Sequence, residues 1–319
     1  MTSLIFRRLI QSIMVVFLVS IMVFFVMRFL PGDPVLVYVS QNEVSFATPE
    51  RIAEIRHKFG LDKPVIVQYL YWLGDIVRGN LGHSIINNTT VNEEIGRALP
   101  KTMFLGSCSF TLSILLGIPL GIIAAIRRGK WADTFCTLVA NLGVTAPVFW
   151  VGIVLILIFG YYLKWLPISG WVSPTENFGQ SLLHIIMPVL CLTVYPMAAV
   201  ARQTRSSMLE VIRQDYIRTA WAKGLNERQV ILKHAVRNAL IPVITLIGIN
   251  IRQIFGGAVL IETVFSIYGM GKLSVDALFS SDYAIVQGVI LVIGVVVVFS
   301  NLIVDLSYGW IDPRIRYDD

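Results

Sequence analysis

The sequence predicts an all-α protein that crosses a membrane six times, and three observations carry that prediction. The 319-residue chain is 55% hydrophobic and only 14% charged, where soluble domains average about 25% charged residues. Its apolar residues gather into runs of about 20, the length a helix needs to cross the hydrocarbon core, and mean hydropathy is +0.72. Its charges collect in the segments between those runs, not in one stripe or tail. The net charge of +6 therefore suits a membrane protein and argues against a nucleic-acid partner.

The first run, Leu9–Met27, is uncharged. It is longer than the apolar core of a secretory signal, and no small-x-small cleavage site follows, so it reads as an uncleaved first span. A long loop, 31–102, comes next. Within it Thr48 can cap a helix that has Pro49 first and Gly60 at its end, with Ile52, Ile55 and Phe59 on its apolar face. A second helix fits Pro64–Arg78, with Tyr69, Trp72, Leu73 and Ile76 on one side and Gly79 after it. Two amphipathic helices there form a lid on the spans, a docking platform, or simple packing on the membrane face.

The runs Met103–Ile126, Thr134–Leu163, Leu182–Ala201 and Tyr283–Val304 also lack Asp, Glu, Lys and Arg, and Asn238–Ile261 is interrupted only by Arg252. The expected organisation is a first span within 1–30, the external helical loop 31–102, a five-span core 103–307 containing an inter-span loop 202–238, and a tail 308–319. Pro119, Pro147, Pro188, Pro196 and Pro242 lie inside spans. Membranes tolerate them where neighbouring helices satisfy the freed backbone groups.

Loop charges orient the bundle. Arg7 and Arg8 precede span one, and Arg127, Arg128 and Lys130 join spans two and three. Arg202, Arg205, Arg213, Arg218, Lys223, Arg228, Lys233 and Arg237 lie between spans four and five, and Arg314 and Arg316 follow span six. The two short loops on the other face hold only Lys164 and Lys272. The positive-inside rule places both termini in the cytoplasm and the 31–102 loop outside.

Catalytic chemistry is missing from the sequence. Gly269-Met270-Gly271-Lys272-Leu273-Ser274 is glycine-rich, but a phosphate-binding loop needs Ser or Thr directly after its Lys; the segment reads as a turn. His57, His83, His184 and His234 are scattered, and neither an HExxH nor a GxSxG pattern occurs. Cys108, Cys136 and Cys191 each sit in an apolar run without CxxC spacing and read as buried free thiols. No catalytic residue, metal ligand or cofactor is expected in this chain, so ATP-driven work would fall to another chain.

The segment joining spans four and five is the most informative. It reads Thr204-Arg205-Ser206-Ser207-Met208-Leu209-Glu210-Val211, then Asp215-Tyr216-Ile217-Arg218-Thr219-Ala220-Trp221-Ala222-Lys223-Gly224-Leu225, then His234-Ala235-Val236-Arg237-Asn238-Ala239-Leu240-Ile241-Pro242. Here the chain resembles the inner-membrane permeases of binding-protein-dependent ABC importers, in the dipeptide/oligopeptide/nickel group. Further matches are Leu30-Pro31-Gly32-Asp33-Pro34, Phe59-Gly60-Leu61-Asp62-Lys63-Pro64, Asp282-Tyr283 and Asp312-Pro313-Arg314-Ile315-Arg316. Gly224 holds the glycine of the wider importer pattern; Arg218-Thr219-Ala220 replaces its Glu-Ala-Ala, Pro242 comes later, and Trp221 stands where Arg is expected.

The resemblance implies a type I importer permease fold in a bacterial or archaeal plasma membrane. It implies a homologous second permease, two cytoplasmic ATPase subunits that hold ATP and Mg, and an external solute-binding protein. Peptides are the implied cargo, with nickel, metal chelates and glutathione as alternatives within the family. A different class, a channel or ion-coupled secondary transporter, calls for inverted repeats and intramembrane carboxylates; no repeat is evident, and Glu262 and Asp305 lie at span ends.

Physics gives the inter-span loop a role of its own. Tyr216–Lys223 can form a short helix stopped by Gly224, able to pass a rigid-body push from a cytoplasmic partner; the alternative is a solvated basic loop that holds topology. Joined to the resemblance, Tyr216, Ile217, Arg218, Thr219, Ala220, Trp221, Ala222, Lys223, Gly224 and Leu225 become the expected ATPase-coupling element. Asn250, Arg252 and Gln253 are the expected translocation-path residues. A mid-span Arg costs roughly 2.5–3.5 kcal/mol on insertion scales and faces the bundle interior or water. Arg252 would there meet an anionic substrate group, or pair with the partner permease.

Overall fold

A computed structural model describes residues 2–29, 49–58, 60–84, 86 and 88–311. Among the described residues the regular elements are helices, with one isolated bridge between His83 and Thr90. In chain order they are α1 (Thr2–Phe29), α2 (Pro49–Lys58), α3 (Val65–Val77), α4 (Val91–Ile126), α5 (Trp131–Thr145), α6 (Val148–Leu155, running on as a π-helical stretch Ile156–Tyr162), α7 (Phe178–Val211), α8 (Asp215–Ala222), α9 (Val236–Val264), α10 (Met270–Phe279) and α11 (Tyr283–Ile311). Among the described residues, five segments are long and apolar enough to cross a membrane: Phe6–Phe29, Val91–Ile126, Phe178–Val211, Glu227–Gly248 and Tyr283–Val304.

The sixth candidate span is α5 with α6, and it is broken, bent by 107°. The sequence shows this region as one uncharged run. The break comes from Pro147, because a proline pushes the residue before it out of the helical region: Ala146 takes φ −72°, ψ 127°, and Pro147 φ −61°, ψ 131°. Pro188, Pro196 and Pro242 are instead absorbed within α7 and α9.

One sequence expectation is corrected. Gly269–Ser274, read above as a turn, opens α10: Gly269 is its extended first flank, and the Met270 N–H donates to Thr102 Oγ1 at 2.8 Å. A helix start leaves backbone N–H groups without partners. Here the partner comes from the far side of the sequence, where no local pattern reveals it.

The chain divides into two compact units, one drawing on residues up to Thr102 and on Tyr268–Phe299, the other on Met103–Ile267 and the residues from Ser300. In the first, α3 docks on α1. Tyr69 is buried, Trp72, Leu73 and Ile76 are half-buried, and the Tyr69 hydroxyl lies 3.0 Å from Ser20 Oγ. The Phe24 ring meets Tyr69 at 5.3 Å and Trp72 at 5.4 Å. Thr48, Phe59 and the Ile55 side chain lie outside the described residues; Ile52 is half-buried on α2. Asp282 starts α11, accepting from the Ile285 N–H at 3.4 Å and from the Ser84 hydroxyl. Burial pushes its carboxyl pKa up, against the Ser84 hydrogen bond.

The second unit is built around α7, whose apolar window is 61% buried. Its neighbours come close because they carry glycine. A Cβ on Gly117 would lie 2.9 Å from the Met197 carbonyl oxygen, one on Gly121 2.5 Å from the Ala201 carbonyl oxygen and from Thr204 Cβ, and one on Gly143 2.9 Å from Ala198 Cβ. Small residues bring helix backbones together in this way in membranes.

Gly121→Leu should therefore destabilise this unit, by about 1–3 kcal/mol or more, because the clash with the Ala201 carbonyl oxygen is with backbone. Gly96→Ala, on the same helix with nothing within 4 Å of its Cβ, should be neutral or slightly stabilising. Thermal unfolding of the purified protein checks both; equal melting temperatures for the two variants would refute the close approach.

Candidate partner-docking site

The chain leaves α7 at Val211, turns, and forms α8 within one residue of the expected bounds at each end. The helix begins on backbone acceptors: the Ile217 and Arg218 N–H groups donate to the Gln214 carbonyl at 3.0 and 3.3 Å. It ends at Gly224, whose N–H donates to the Trp221 carbonyl at 3.0 Å and whose φ is +74°. A Cβ on Gly224 would meet nothing within 4 Å. Glycine is needed there for its left-handed backbone, not for space. Asn226 starts the next turn, its side chain accepting from the Gln229 N–H at 2.9 Å, and a π-helical stretch, Val230–Ala235, leads into α9.

α8 has two faces. Ile217 and Ala220, three residues apart, are buried among Ala125, Met208, Val230, Ala235 and Ala239. These come from the end of α4, the end of α7, and the start of α9 with the stretch before it, which together hold the short helix. Tyr216, Arg218, Thr219, Trp221, Ala222, Lys223 and Gly224 are exposed and Leu225 is half-buried. The Asn238 amide donates to the Tyr216 hydroxyl at 3.0 Å, tying α8 to α9. Arg218 pairs with Asp215 at 3.4 Å, both side chains largely in solvent. Such a pair contributes little and is exchangeable for a partner's carboxylate. Beside the helix lies a cavity of about 280 Å³ walled by Ile217, Trp221, Ala125 and Val230, with Arg128 and Arg213 also lining it.

The structure thus brings residues 216–225 together on one braced element with a basic and aromatic outer face. No nucleophile–base pair is set there; what the arrangement offers is docking. Asn250, Arg252 and Gln253 fall on the backbone of α9, and their side chains lie outside the described residues. Sequence reasoning passed over Asp133, and counted Arg205 only as a loop charge. Arg205 Nε donates to Asp133 Oδ1 at 2.7 Å and Arg205 Nη2 to Oδ2 at 3.0 Å. Asp133 lies at the edge of an apolar run, and 72 positions separate the two, so no spacing announces the pair.

Comparison with known proteins assigns this architecture. Residues 117–317 match the family model of the binding-protein-dependent transport system inner membrane component, and residues 1–106 match the model of its N-terminal part. The chain is 40% identical over 313 residues to a probable peptide ABC transporter permease of Sinorhizobium fredii, covering 98% of this chain and 99% of the relative. It is 39% identical over 337 residues to a di/tripeptide transport system permease of Pseudomonas aeruginosa, covering 99% of each. Among solved structures it resembles the MetNI methionine ABC transporter, with a TM-score of 0.53 at 16% identity over 68% of this chain and 96% of that one. This last likeness is one of fold.

Ile217→Ala should loosen α8 without unfolding the bundle, since truncating a buried Ile costs roughly 2–5 kcal/mol. Amide exchange over residues 215–222 should speed up while α7 stays protected. Unchanged protection of α8 would show that Ile217 does not anchor it.

Proposed function

The chain belongs to the binding-protein-dependent transport system inner membrane components, a permease family and not an enzyme family, and from that premise we propose that it is one half of a peptide import pathway. It forms the pathway with a homologous second permease. Two cytoplasmic ATPase subunits, which bind ATP and Mg, drive it, and an external solute-binding protein delivers the peptide. Both termini lie in the cytoplasm, as the loop charges favour. The peptide assignment is supported by relatives named as peptide and di/tripeptide permeases that match this chain end to end.

The observation that carries the mechanism is the braced helix α8. Its buried face packs it against the ends of α4, α7 and α9, and its Arg218, Trp221 and Lys223 are exposed and open to a partner. A groove with acidic rims on the ATPase subunit receives it, and movement of that groove on ATP binding displaces α8 and the spans together. Arg252 lines the path and meets the peptide's carboxylate.

Two measurements on the reconstituted complex test this. Peptide uptake into proteoliposomes should require ATP and the loaded binding protein; uptake by this chain alone, driven by an ion gradient, would sink the proposal. ATPase activity should rise when loaded binding protein is added to the parent complex. It should stay at its basal level in Gly224→Val, which strains the left-handed turn, and in the Arg218→Glu/Lys223→Glu double variant. Parental stimulation in both would remove α8 from the coupling role. A reporter fused after Asp319 that is active only outside the membrane would overturn the orientation.

A further inference from the structure

Asp133 and Arg205 have no part in the docking surface, yet they form a two-point charged contact in the second unit. Asp133 lies in the first turn of α5, with its side chain only 9% exposed, and Arg205 near the end of α7 is 32% exposed. The guanidinium meets both carboxylate oxygens, at 2.7 and 3.0 Å. The same carboxylate accepts from the Gly129 N–H at 3.0 Å and from Thr137 Oγ1 at 3.4 Å. One side chain thus gathers the start of α5, the turn before it and α7. A planar fork on a carboxylate fixes orientation as well as distance.

A second clamp holds the other end of α5. There Gly143 packs so tightly that a Cβ would come within 2.9 Å of Ala198 Cβ and 3.0 Å of the Val194 carbonyl oxygen. Ten residues of helix put the two clamps about 15 Å apart along α5. Sliding or rolling of α5 on α7 would have to break one of them. Just past the second clamp the chain bends by 107°, at Ala146 and Pro147, both extended. At its other end α7 leads through Ile212, Arg213 and Gln214 into α8.

We propose that the Asp133–Arg205 pair is a positioning contact that makes α5 move as one body with α7 and α8, so that a displacement of α8 is delivered to the hinge at Ala146–Pro147 and swings α6. This rests on α8 being the docking helix. With the pair broken, α8 still docks, but α5 turns against α7 and the displacement is lost before the hinge. The pair is therefore required for the yield of transport from each ATP, not for ATP hydrolysis.

The test uses the complete complex in proteoliposomes and compares Asp133→Asn, Arg205→Lys and the exchanged pair Asp133→Arg/Arg205→Asp with the parent. Two quantities are read: stimulation of ATPase activity by loaded binding protein, and peptide transported per ATP hydrolysed. Asp133→Asn and Arg205→Lys should keep stimulation within about twofold and lower the transport ratio at least fivefold; the exchanged pair should recover at least half of it. Spin labels at the exposed positions Leu138 on α5 and Ile153 on α6 should change separation on ATP binding in the parent and not in Asp133→Asn. A parental ratio in Arg205→Lys overturns the proposal, and that variant decides the matter if Asp133→Asn does not assemble, because it keeps the charge and loses only the two-point contact. Equal loss of ATPase stimulation and transport also overturns it, as it makes the pair a brace of the docking site. Failure of the docking reading is separate: it appears as parental stimulation in the Arg218→Glu/Lys223→Glu variant.

Discussion

The close approach of α4 and α5 to α7 is the constraint on which the second unit depends. Helices in a lipid bilayer gain little from hiding apolar surface from one another, because lipid tails are equally apolar. Contact must come from packing and from polar links. Gly117 and Gly121 on α4 and Gly143 on α5 bring backbone to within touching distance of α7, and the facing stretch Ala198–Ala201 is buried throughout. With its neighbours seated this deeply, α7 is packed along its length, and its C-terminal end leads directly into α8.

Polar groups complete what small residues begin. An ion pair that is largely buried holds geometry better than it adds net stability, because desolvation offsets most of its attraction. Asp133 and Arg205 fit that role: four hydrogen bonds converge on one carboxylate in the first turn of α5. In the first unit the same economy appears in neutral and acid partners. Thr102 receives the first N–H of α10, Asp282 starts α11 with help from Ser84, and the Tyr268 hydroxyl donates to Glu94. Each contact joins residues far apart in the chain.

Much of the architecture was legible in the sequence because it follows from local composition. Uncharged runs mark the spans, since no charged residue enters the hydrocarbon core cheaply. The short helix α3 was visible from its apolar spacing, since Tyr69, Trp72, Leu73 and Ile76 share one face, and α8 from its stop, since Gly224 takes the left-handed turn that ends it. What α8 rests on was not visible. Ile217 and Ala220 are ordinary apolar residues until α4, α7 and the approach to α9 converge on them.

The sequence by itself determined that this is a multi-spanning helical permease and which loop carries the short helix α8, because hydropathy, loop charge and the Arg218–Leu225 pattern are properties of neighbouring residues. Only the tertiary structure decided that the third run is two helices at 107°, that Gly269–Ser274 opens a helix and not a turn, and that Asp133 belongs to Arg205. The reason is the same in each case. A proline inside an apolar run is absorbed or makes a break according to what packs against it, a helix start forms where a distant hydroxyl meets its N–H, and a buried carboxylate persists where a distant guanidinium reaches it. Those partners are set by how the helices meet, and sequence distance does not report it.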